Sequence, residues 1–133
     1  MRAGSSELSD EEFLAAVDSA ALHPSQFRHA DHLRLAWLYL RQTSLENAER
    51  LVRSGIERFA ERHGVADIYN ETVTLAWVRL ISTHRESSFA EFLSENESRL
   101  NSSLLHRFWT PELLTCDRAK REWVPPDRQA LPA

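Results

Sequence analysis

The chain has 133 residues, 42% hydrophobic and 27% charged, with a formal net charge of −4 and a single cysteine. That length suits one domain able to bury about two thirds of its unfolded surface without disulfides or a structural metal. One cysteine excludes an intrachain disulfide and agrees with a reducing, cytoplasmic setting, the absence of any apolar run near 20 residues argues against a membrane span, and 15 arginines and one lysine scattered among acids form no phosphate-tracking stripe.

Three glycines, five prolines and no alternating polar and apolar stretch point to an all-α fold. Ser9-Asp10-Glu11-Glu12 reads as a capping box opening a first helix to about Ala21, stopped before Pro24. No apolar signal-peptide stretch precedes it. A second helix is expected from about Arg28 to Arg41. Thr43-Ser44-Leu45-Glu46 reads as another capping box, followed by Ala48, Leu51, Val52, Ile56, Phe59 and Ala60 at helical spacing until Gly64. Asp67 is read as the cap of a fourth helix reaching about Thr83. Ser88-Phe89-Ala90-Glu91 opens a short fifth, and Thr110-Pro111 introduces one or two short C-terminal helices ending by Trp123. The expectation is one helical domain over residues 1–133, with a core at 9–123 and tails at 1–8 and 124–133. Short connections favour an up-and-down bundle of about five helices.

Two stretches place polar side chains just before apolar runs that both contain Leu-Ala-Trp. They are Arg28-His29-Ala30-Asp31-His32 ahead of Leu33 to Leu40, and Tyr69-Asn70-Glu71-Thr72 ahead of Val73 to Trp77. Polar groups entering a core are costly to desolvate unless something satisfies them, which marks these as site candidates. At about 100° per residue, Arg34, Arg41 and Ala30 mark the wet side of the second helix, so His32 and His29 face inward. On the fourth helix Thr72, Arg79 and Thr83 are read as wet, leaving Asn70, Thr74, Trp77 and Ile81 on the dry line with Glu71 beside them. His63 continues the line of Val52, Ile56 and Phe59. If the helices alternate in direction, His29, His32, His63, Asn70 and Glu71 gather at one end, together with His23.

Two histidines three residues apart on a helix, with a carboxylate from a neighbour, are the donor set of two-His, one-carboxylate iron and zinc sites. His29, His32 and Glu71 fit that set, with His63 as a fourth ligand for iron, zinc or manganese. Without a metal, His32, Glu71 and His29 could act as acid and base on a small-molecule ligand. Asn70, Thr74 and Tyr69 would then contact the substrate, and His106 and Trp109 would belong to a covering segment. The competing reading is that the histidines are hydrogen-bonded core-edge residues, because H-x-x-H arises often by chance and the E-x-x-H pairs of di-iron bundles are absent. Cys116 reads as a small buried hydrophobe, and Trp37 and Trp77 as core. The sequence leaves the oligomeric state open.

The strings Phe27-Arg28-His29-Ala30-Asp31-His32-Leu33 with Ala36-Trp37, and Tyr69-Asn70-Glu71-Thr72 with Ala76-Trp77, resemble a group of small, uncharacterised helical bacterial proteins. The similarity runs from about Phe27 to Pro126 and brings no activity with it. In that group the second string carries histidine where this chain has Asn70, a poor ligand for zinc or iron, so the resemblance implies a site at His29, His32 and Glu71 that lacks one donor. The alternative to an enzyme is a protein-interaction module. Leu35 to Phe59 looks like a tetratricopeptide-type hairpin, although such arrays normally need three or more units and this chain has at most two.

Overall fold

Ser9 opens the first helix because its hydroxyl accepts the Glu12 backbone N–H at 3.2 Å while the Glu12 carboxylate accepts the Ser9 N–H at 2.9 Å. The structure, a computed structural model, describes residues 8–96 and 100–132; most of the expected N-terminal tail, residues 1–7, lies outside them. The helices are α1 Asp10–Asp18, α2 His29–Gln42, α3 Leu45–Arg62, α4 Glu71–Ile81, α5 Phe89–Asn96, α6 Pro111–Leu114 and α7 Asp117–Arg121. Single 3-10 segments lie at Pro24–Gln26, Ala66–Ile68 and Ser102–Arg107. No strand occurs among the described residues, so the fold is all-α. No described helix is long and apolar enough to cross a membrane. The chain divides into two compact units with their boundary between Tyr69 and Asn70.

In the first unit α3 packs against both α1 and α2. Arg58 pairs with Asp18, and His63 Nε2 lies 3.0 Å from the Ala20 carbonyl, so α1 and α3 finish at the same end. Phe27, just ahead of α2, sets its ring 4.7 Å from that of Phe59 near the end of α3, so α2 begins there. The three helices therefore run up, down and up. Phe13, Val17, Leu33, Leu35, Ala36, Trp37, Val52 and Phe59 form the buried interior, each large side chain contributing about 1.5–3 kcal/mol relative to exposure.

Several local expectations are corrected here. α1 ends at Asp18 because Ala20 adopts φ +58° and the Ala21 N–H folds back to the Ala16 carbonyl at 2.9 Å, a left-handed helix stop that usually employs glycine. Gly64, with φ +71°, closes α3 in the ordinary way. The cap of α3 is Ser44, whose hydroxyl accepts the Asn47 N–H at 3.2 Å, and not a box starting at Thr43. Leu51 is 39% exposed and lies off the buried stripe. Arg34 is half-buried, not wet, because its guanidinium lies over the Phe13 ring at 4.4 Å and reaches Asp10 at 3.0 Å.

In the second unit α7 packs against α4 and α6. Asn70, and not Asp67, caps α4: its Oδ1 accepts the Val73 N–H at 3.0 Å while its Nδ2 donates to the Leu114 carbonyl at 2.8 Å. Asp67 lies in the preceding 3-10 turn. Thr72 is fully buried, contrary to its wet assignment. Its Oγ1 lies 2.9 Å from the carbonyls of Ala119 and Glu122 and accepts the Val124 N–H at 3.2 Å. The expected C-terminal tail is built into this unit as well. Trp109 Nε1 donates to the Val124 carbonyl at 3.0 Å, Asp127 accepts both the N–H and the hydroxyl of Thr110 at 2.8 Å, and the Arg128 N–H reaches the Phe108 carbonyl at 2.9 Å. Backbone groups that a solvated tail would offer to water are instead paired within the fold.

Candidate functional site

The sequence-proposed residues fall into both units. In the first, His29 is the opening residue of α2 and His32 lies one turn on, both half-buried. The His32 ring sits against Phe27 at 4.2 Å between centroids, and the His63 ring against Phe59 at 4.5 Å, so the two imidazoles belong to one aromatic cluster built on the Phe27–Phe59 contact. Burial takes the His32 pKa down to about 4, the neighbouring His29 adding in the same direction and Asp31 opposing. His32 is therefore a neutral ring at pH 7. His63 spends Nε2 on the Ala20 carbonyl, joining the ends of α1 and α3. His23 caps its own turn, its Nδ1 accepting the Ser25 N–H at 3.1 Å. Tyr69 is half-buried at the end of this unit.

In the second unit Glu71 is buried at 7% exposure in the first turn of α4, where the helix dipole favours an anion. Asn70 is committed to capping and to Leu114. Thr74 is half-buried. His106 is exposed, and Trp109 is buried with its indole N–H used on Val124. Cys116 occupies the N-cap position of α7 without a side-chain capping bond. Among the described residues, no group of three or more His, Cys, Asp or Glu is arranged to hold a metal ion.

A cavity of about 330 Å³ lies within the second unit. Its buried members Trp77, Ile81, Asn96, Leu100 and Phe108 mark the floor, and its exposed members Thr83, Arg107 and Pro132 the mouth. His84 lines the same space. Its Nδ1 lies 3.2 Å from Glu86 Oε1, and its ring stands edge-on to Phe92 at 4.8 Å and 79°. Both partners are largely sheltered, with 27% and 15% of their side chains exposed. A carboxylate on Nδ1 fixes the imidazole tautomer and leaves Nε2 as the nitrogen available to a ligand. Ligand pockets run from about 300 to 1,000 Å³, so this one admits a fragment-sized molecule.

No family model, curated protein or solved structure matches the chain. Residue roles therefore rest on geometry alone, and the resemblance carried by the two polar strings supplies none.

The sequence reading missed His84, Glu86, Asn96 and Arg107. One signal for His84 was present: the dry line of α4 through Trp77 and Ile81 continues, at the next helical step, to residue 84. That line is interrupted because α4 stops at Ile81 and the chain turns on a bond from the His84 N–H to the Ile81 carbonyl at 3.0 Å. Asn96 and Arg107 had no such signal. The segment suspected of covering a pocket does line this one, through Leu104, Arg107 and Phe108 and not through His106 or Trp109.

Proposed function

We propose that the protein acts on a small organic molecule by acid–base chemistry in the cavity of the second unit, with His84 as the group that takes or gives the proton and Glu86 as the residue that orients it. The observation that carries this reading is the His84–Glu86 pair standing in the wall of a cavity with apolar sides. An imidazole held by a carboxylate at Nδ1 presents its other nitrogen in a defined direction, the arrangement a general base requires. Apolar walls of Trp77, Ile81, Leu100 and Phe108 provide the area that holds a ligand and the low local polarity that strengthens a polar contact. His29, His32 and Glu71 enter this reading as packing and helix-end residues. Tight aromatic contact and loss of basicity suit His32 to a core position.

The test is a screen of monocyclic aromatic fragments by NMR, followed by calorimetry of any binder in two buffers of different ionisation enthalpy. Binding should perturb the Trp77 indole and the His84 ring and be lost in Leu104→Trp, which fills the cavity. Proton exchange with buffer on binding should be seen in the wild type and vanish in His84→Gln, with fragment binding retained. Fragments that bind the filled variant equally well, or that perturb neither Trp77 nor His84, would contradict the proposal.

A further inference from the structure

We infer that the ligand of this cavity is an organic monocarboxylate with a compact apolar body, its anionic group meeting Arg107 at the mouth and its hydrocarbon part meeting Trp77 and Phe108 inside. The inference rests on the reading of the cavity as a ligand site and adds the charge of what enters. Among the described residues, Arg107 takes part in no ion pair. It is exposed, and it lines the cavity. The other nitrogen-bearing side chain there, His84, already turns its Nδ1 to Glu86 Oε1 at 3.2 Å. An unmatched guanidinium beside an apolar hollow is complementary to a molecule with one planar anionic end and an uncharged remainder, because the fork of N–H donors meets both carboxylate oxygens together.

The size of the hollow limits the remainder. A volume of about 330 Å³ lies at the small end of ligand pockets and excludes nucleotides and extended lipids. A ring or short branched chain fills it. Its long axis would run from the exposed Arg107 toward the buried Trp77 and Phe108.

The experiment is calorimetric titration of the full chain with 3-phenylpropionate and with 3-phenylpropionamide, which matches it in shape and lacks the charge. The carboxylate should bind the wild type at least ~10-fold more tightly than the amide. Arg107→Gln should remove that preference while leaving the amide affinity unchanged, and Arg107→Lys should keep part of it, since an ammonium supplies charge without the fork. Arg107 is exposed, so neither variant threatens folding, and circular dichroism checks this. Equal binding of the two probes, or a preference that survives Arg107→Gln, overturns the assignment of charge and leaves the cavity as a site for neutral molecules. Failure of both probes to bind the wild type, together with no fragment binding, overturns the ligand site itself.

Discussion

His32 shows what burial does to a residue suited by type to chemistry. Its ring touches Phe27, and burial takes its pKa from 6.5 to about 4. The unfolded chain binds a proton near pH 6.5 while the folded chain resists it, so the stability from the neutral ring is complete above pH 6.5 and drains away as pH falls toward 4. The loss attributable to this one group is at most about 3 kcal/mol. Urea unfolding at pH 7.5 and 4.5 should show a smaller acid loss in His32→Phe than in the wild type; equal losses would remove His32 as the source. Thr72 makes the complementary point. Its hydroxyl serves two carbonyls and one N–H on residues 119–124, so Thr72→Val should cost about 1–3 kcal/mol and Thr72→Ser less, as read by urea midpoint. A valine variant more stable than the serine one would contradict this. The burial of Thr72 was not legible in the sequence, whereas a core-edge place for His32 stood there beside the ligand reading. A threonine amid apolar residues reads as a solvent marker when its partners lie some fifty positions away.

At the scale of elements, what the sequence made legible was the existence of helices more than their ends. Periodicity over Ala48 to Ala60 and the Ser9 box indicated α3 and α1 because both signals lie within a few residues of one another. The stop of α1 was invisible, since nothing in the string Ser19-Ala20-Ala21 announces a left-handed residue. Ala20 at φ +58° carries strain that glycine would not. Ala20→Gly should therefore stabilise the protein by about 0.5–1 kcal/mol, seen as a rise in thermal midpoint. The bond from His63 runs to the main-chain carbonyl and survives that change. A lowered midpoint would show that this turn is not strained. The start of α4 was misplaced for a related reason: Asp67 and Asn70 are both good caps in isolation, and only the second bond, to Leu114, favours Asn70.

At the scale of the whole chain, the sequence led to an all-α fold but not to the cavity of the second unit. Antiparallel neighbours were inferred from short connections, and the first unit has that up-down-up course. The cavity, by contrast, is walled by residues from Trp77 to Pro132, and no local pattern links them. Polar strings ahead of helices drew attention to helix starts, where Asn70 caps α4, while the better-formed dyad of His84 and Glu86 lies just past the end of that helix. The most direct measurement is a crystal structure of the protein soaked with 3-phenylpropionate. The account predicts density for the ring between Trp77 and Phe108, with the carboxylate on Arg107 and the chain within reach of His84. A cavity that stays empty at saturating ligand, or a ligand seated elsewhere on the molecule, would contradict it.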